Sequence, residues 1–230
     1  MMYGFTWDTA TPLTYAWSIL PIILIGLTVT LKAAAAGFAI ALVLGLVFAM
    51  LRRSRWRSVS WTTACVVEFL RDTPLLVQLF FLYYVLPEYG LTLPAFLTGA
   101  LALGLQYSAY TSEVYRGGIE AVPRGQWEAA TALNMTRMQT YRDIVVPQIV
   151  PRILPAMGNY MVAMIKETPV LSVITVLDMM ALANMIGERT FEYLVPLTMV
   201  GLIFLILTLI CSAGLHRLQK VLPKAGIPLR

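Results

Sequence analysis

The chain has 230 residues, of which 59% are hydrophobic and only 13% charged, whereas a soluble domain carries roughly a quarter charged residues. Its formal charge of +5 does not point to nucleic acid, because the basic residues gather at the ends of apolar runs, as they do in membrane proteins. Two cysteines, Cys65 and Cys211, lie far apart inside apolar segments and there is one histidine, His216, which excludes a disulfide framework and a zinc constellation.

In chain order, residues 1–17 form an external segment without the basic start of a signal peptide. The first apolar run, 18–51, exceeds the ~20 residues that cross a bilayer, so it projects beyond the membrane or tilts. Arg52, Arg53, Arg55 and Arg57 stop it. A second span is predicted within 59–86, ending at Pro87, a third over 93–119, a fourth over 149–168 and a fifth over 193–216, before a tail at 217–230. Residues 169–192 are too polar for a sixth span, and a re-entrant or partly buried segment fits them better. The expectation is an all-α integral membrane chain with one domain over 18–216.

Charge sets the orientation. With the N-terminus outside, the inner segments 52–57, 121–152 and 217–230 carry four Lys or Arg each, while the outer segments 1–17, 87–92 and 169–192 carry only Arg189. That asymmetry predicts N-terminus out, C-terminus in, and a cytoplasmic position for the polar insert 121–147. Trp7, Trp17, Trp56, Trp61, Tyr83 and Tyr84 fall near span ends and read as an aromatic belt.

Within the insert, Val122 to Gly125 reads as a turn and Gln126 to Leu133 as a short helix. Asn134 stands where a left-handed C-terminal cap belongs. Thr136 suits the N-cap of a second short helix running through Ile144, which Pro147 separates from the fourth span. Ala129, Ala130 and Ala132 permit close approach, and Glu128 offers a charge to a partner.

Charges within the spans are costly, at ~2.5–3.5 kcal/mol near a helix centre, and each has two readings. Lys32 snorkels from a tilted helix or serves transport. Glu68, Arg71 and Asp72 share a helix face just before Pro74, which is expected to kink the helix, and they form a structural ion pair that fixes the break or a gate that moves with the helix. Glu113 and Arg116 anchor the insert or sit at the interface. Gln106 and Tyr107 line a pathway or pack. Lys166, Glu167 and Thr168, just before Pro169, offer both charges a zwitterionic solute needs, with Glu167 favoured because neighbours on a helix diverge by about 100°.

Glu128-Ala129-Ala130, then Asn134, Ile144 and Pro147 resemble the EAA loop of binding-protein-dependent ABC importer permeases. The usual pattern has Gly where this chain has Asn134, and Leu where it has Val146. Glu68 to Gln78, Tyr110 to Ile119 and Lys166 to Ser172 resemble blocks of the polar amino-acid (histidine/glutamine) subfamily, with Arg124 to Asn134 and Lys166 to Ser172 most like ectoine and hydroxyectoine importers. The resemblance implies a five-span type I transmembrane domain whose coupling loop, carrying Gly125, Glu128, Ala129, Ala130, Leu133, Asn134, Ile144 and Pro147, docks on a separate ATPase. It implies two ATP-binding subunits, a second permease, identical or paralogous, and an extracytoplasmic solute-binding protein. The chain has no GxxxxGK[ST] loop, so ATP and Mg²⁺ belong to the partner, and this chain is expected to bind no cofactor and perform no catalysis. A secondary transporter or channel without an ATPase is the rival, and it would often show an inverted repeat, which this sequence lacks.

Overall fold

The computed structural model describes residues 7 and 9–221. Residues 1–6 and 8 of the expected external segment lie outside them, as do 222–230 of the expected tail, including Lys224 and Arg230. The described residues contain helices and turns and no strand.

The first helix, α1, covers Pro12–Arg52 and is apolar around its whole circumference, the pattern of a helix surrounded by lipid or protein. Pro12 suits the first helical position, where its missing N–H costs nothing. Just before it, Thr11 and Thr14 exchange hydrogen bonds between each backbone N–H and the other's hydroxyl, at 3.1 and 3.2 Å. The rest of the chain forms α2 (Arg57–Asp72), α3 (Leu75–Phe80), α4 (Ala95–Glu120), α5 (Arg124–Ala132), α6 (Arg137–Gln139), α7 (Val146–Glu167), α8 (Met179–Thr190) and α9 (Leu194–Val221).

By length and composition, Pro12–Arg52 and Leu194–Lys220 are apolar enough to cross a membrane. The helical run Arg137–Ile174 and the helix Met179–Thr190 form a further pair, bent by 48°, as a broken span or re-entrant loop would be.

The segment 59–86 is broken where Pro74 is expected to kink it: α2 ends at Asp72, Thr73 is extended, and α3 begins at Leu75. Pro74 explains the break, since it has no N–H to donate and keeps the preceding residue out of the helical region. Two other expectations are corrected here. Pro87 does not end that helical run, but sits inside a 3₁₀ turn, Leu86–Tyr89, that follows a π turn at Phe81–Val85. Nor does Pro147 separate two helices. A π turn at Thr140–Val145 leads directly into α7, where Pro147 occupies the first turn.

The described residues cluster into two compact units. One draws on 7–37, 75–103 and 163–210. Its core includes Tyr15, Ile19 and Ile23 of α1, Met179 and Ile186 of α8, and Val200 of α9. Because lipid is as apolar as these side chains, packing contacts and interhelical hydrogen bonds must hold them together. Tyr15 Oη lies 2.8 Å from Thr190 Oγ1. Gly26 lets α1 approach the backbone of Asp178 and Met179 so closely that a Cβ there would fall 2.8 Å from Met179 Cα. Asp178, fully buried, caps α8 by accepting a hydrogen bond from the Ala181 N–H at 2.9 Å.

The other unit draws on 38–74, 104–162 and 211–221. Here the fully buried Thr111 donates from Oγ1 to the Ala41 carbonyl at 2.8 Å, tying α4 to α1. Ile119, Val122, Val145 and Ile149 form a small core where α4 turns toward α5.

Candidate coupling surface and transport residues

The candidate coupling surface lies in this second unit. The helix α5 starts at Arg124, two residues earlier than predicted, so Gly125 is inside it and faces open space. Its end is fixed by backbone chemistry. Asn134 takes a left-handed conformation with φ of 53°. The Met135 N–H reaches the Ala130 carbonyl, and the Asn134 N–H reaches that of Thr131, both at 3.0 Å. Together these make a Schellman cap, in which Asn replaces the commoner Gly. Two residues on, the Gln139 N–H donates to Thr136 Oγ1 at 3.3 Å, while Gln139 Oε1 accepts from the Thr136 N–H at 2.8 Å. This capping box holds the start of α6.

One face of α5 is turned inward. Trp127 meets Tyr141 edge-on at 5.6 Å and packs beside the small core. Ala130 is 1% exposed, so it supports α5 within its own chain and is closed to a partner. This corrects its expected place on the contact surface: a residue with 3.6-fold spacing from Trp127 falls on the same buried side. Glu128, Ala129, Asn134 and Pro147 are exposed, Ile144 is half-buried, and Leu133 is 74% exposed. Met138, 77% exposed, joins them, a residue the sequence pattern did not single out. Leu133 and Met138 are thus apolar side chains left exposed on an otherwise polar segment.

An ion network lies at the end of α4, which leads into α5. Glu113 pairs with Arg52 at the end of α1, and with Arg116 at 2.7 Å. Arg116 also pairs with Glu120 at 2.8 Å, and Arg152 of α7 donates to the Ala121 carbonyl at 2.9 Å. Glu113 therefore ties α1 to the segment that launches α5. Replacing it by alanine leaves Arg52 and Arg116, 18% and 34% exposed, without their shared carboxylate. The expected cost is about 1–3 kcal/mol, below the fully buried case because water reaches both. Thermal unfolding in detergent checks this, and a midpoint equal to wild type would remove the anchoring role.

Glu68 pairs with Arg71, and Asp72 Oδ1 is 3.8 Å from Arg71 Nε. With Asp72 72% exposed, the firm part of this cluster is the Glu68–Arg71 pair at the end of α2. Gln106 is buried, its Nε2 3.4 Å from Tyr110 Oη, and Tyr110 donates to the Arg71 carbonyl at 3.4 Å. Tyr110 stacks on Tyr160 at 5.5 Å, with Tyr107 edge-on to Tyr160 at 6.2 Å. Nothing in the residue spacing signals this aromatic group, since Tyr160 comes from a different helix.

Lys166, Glu167 and Thr168 are not gathered into one cavity. Lys166 is exposed and lines an open groove with Phe204, Leu205 and Thr208 of α9. Glu167, the last residue of α7, is half-buried. Thr168 is fully buried and donates from Oγ1 to the Ile165 carbonyl at 2.8 Å. Among the described residues, no group of three or more His, Cys, Asp or Glu is placed to hold a metal ion.

Long apolar helices, with a capped polar knob between them in the chain, define an integral membrane protein. The chain belongs to the family described as binding-protein-dependent transport system inner membrane component, whose profile matches residues 41–222. It is 58% identical, over 100% of both chains, to a probable amino-acid ABC transporter permease of Sinorhizobium fredii (strain NBRC 101917 / NGR234). It is also 37% identical, over 84% of this chain and 89% of the relative, to the arginine transport system permease ArtQ of Bacillus subtilis (strain 168). Among solved structures, an amino acid ABC transporter crystallised with histidines superposes with a TM-score of 0.83 at 35% identity, covering 94% of this chain and 100% of that one. The methionine transporter MetNI, in an inward-facing form, matches in fold with a TM-score of 0.76 at 16% identity, covering 90% of this chain and 98% of that one.

This protein is accordingly a permease subunit of an amino-acid ABC importer, with the type I permease fold, in the inner membrane. It is not an enzyme, and ATP hydrolysis resides on a separate subunit.

Proposed function

We propose that this chain forms half of a translocation path for a polar amino acid or related compatible solute, with ectoine and hydroxyectoine favoured. An extracytoplasmic binding protein delivers the solute, and a second permease, identical or paralogous, completes the path. Five spans, with N-terminus out and C-terminus in, place α5 in the cytoplasm. Two ATPases, each using ATP and Mg²⁺, dock on the surface from Gly125 to Pro147. Their closure draws the two α5 helices together and opens the opposite face, which requires the ATPase to bind the two conformations with different free energies. Glu68, Arg71, Asp72 and Pro74 form the gate-side break, and Gln106, Lys166, Glu167 and Thr168 belong to the path.

The observation that carries the coupling reading is the α5 knob, capped by Asn134 and followed by the Thr136 capping box, with Leu133 and Met138 exposed. Support for the solute is the likeness of Arg124 to Asn134 and Lys166 to Ser172 to ectoine permeases. The test is reconstitution of the permeases, ATPase and binding protein in vesicles. ATP-dependent accumulation of labelled ectoine, resisted by excess arginine or glutamine, is the expected result. Accumulation of arginine or glutamine instead would overturn the ectoine assignment, and accumulation without the ATPase would overturn the coupling reading.

A further inference from the structure

Beside α5 lies a cavity of about 460 Å³ whose wall includes Met50 and Arg53 from the end of α1, Trp127 and Thr131 from α5, and Arg137 and Tyr141 beyond it. No Asp or Glu lines it. Among the described residues, neither Arg53 nor Arg137 has an ion-pair partner, unlike Arg52, Arg71 and Arg116. Thr140 also lines the wall, and the Thr131 and Thr140 hydroxyl protons are committed to the Trp127 and Thr136 carbonyls, both at 3.0 Å, which leaves the two guanidinium groups and the Tyr141 hydroxyl as side-chain donors. Such a wall suits a phosphate, since guanidinium donors match its oxygens and its charge.

The position of the cavity narrows the source of that phosphate. Val43, Leu46, Val47 and Met50 are all exposed, at 64%, 43%, 44% and 37%, and their spacing places them on one face of α1. This apolar stripe runs directly into the cavity at Met50. Trp56 and Trp61, which follow Arg53 in the chain, are 62% and 70% exposed and are side chains of the kind that settle at headgroup level. A basic recess between helices at the end of an apolar stripe is a site for an anionic lipid headgroup.

We infer that this cavity binds one anionic phospholipid, its phosphate held by Arg53 and Arg137 and its acyl chains lying along Val43, Leu46, Val47 and Met50. The lipid then touches α1 and α5 together, so bilayer composition bears on the coupling helix.

Native mass spectrometry of the full-length chain in neutral detergent, with equal phosphatidylglycerol and phosphatidylcholine, tests the site. One phosphatidylglycerol is expected to stay bound per chain, with little phosphatidylcholine. In R53Q/R137Q, retention should fall roughly thirtyfold, the effect of removing two basic side chains near an anionic surface. The control R55Q/R57Q removes the same charge from residues that do not line the cavity and should keep wild-type retention. Equal loss in the control would reduce the site to a diffuse basic surface and overturn the proposal. Equal retention of phosphatidylcholine by the wild-type chain, or displacement of phosphatidylglycerol by an equal concentration of inorganic phosphate, would also overturn it. Those two readings need no variant.

Discussion

Replacing Gly26 with alanine is expected to destabilise the chain by about 1–3 kcal/mol, and by more with larger side chains. The added Cβ would lie 2.8 Å from both the Cα and the N of Met179 and 3.0 Å from the carbonyl carbon of Asp178. These are backbone atoms at the start of a capped helix, so no side-chain rotation relieves the clash. Either α1 moves away or α8 shifts, and the 3.4 Å contact between the Met179 N–H and Thr30 Oγ1 is lost with it. A shift would also open the fully buried Asp178 carboxylate. Gly201→Ala is the matched control, because nothing lies within 4 Å of its Cβ. A lowered unfolding midpoint for the first and an unchanged one for the second is the expected pair. Equal midpoints would show that α1 and α8 are not held at this distance.

The second large effect concerns the proposed docking face. Leu133→Asp is expected to abolish ATPase co-purification and ATP-driven uptake while the permease still inserts and stays monodisperse. Leu133 is 74% exposed at the C-cap of α5, so the change harms no internal packing. An apolar anchor at an interface centre is commonly worth 2 kcal/mol or more, which is roughly thirtyfold in affinity. Ala130→Leu should behave in the opposite order. With Ala130 1% exposed, the larger side chain overpacks the chain's own interior and lowers its stability first. Retained uptake in Leu133→Asp would move the docking surface elsewhere.

What the sequence made legible was mostly local. Asn134 and Thr136 could be assigned to caps because turn chemistry depends on the residue itself. The break before α3 could be read from Pro74 for the same reason. Contacts between distant residues could not. Nothing near Gly26 announces that Asp178 and Met179 pack against it, and Arg52 and Glu113 meet across 61 positions. Ala130 looked like surface because alanine suits both a crowded interface and a crowded interior. Pro147 misled because a proline in a first turn breaks nothing when the turn before it is wound differently. The long apolar runs of α1 and α9 were plain from composition. The segment after Pro169 was not, since its 3₁₀ turn, the left-handed Thr175 and α8 alternate within about twenty residues.

The π turn at Thr140–Val145 has a geometric consequence of its own. A π turn holds a residue more than the α-helical turn it replaces, and each residue of an α-helix is worth about 100° of rotation. Its length therefore works as a phase setting between α6 and α7. With Thr140 and Val145 buried and Arg142 and Asp143 outward, α5 rests against this turn on one side only. A chain one residue shorter here could keep every side chain of α5 and still point that helix in another direction. The aim of α5 is thus written in a count of residues, where no motif would reveal it.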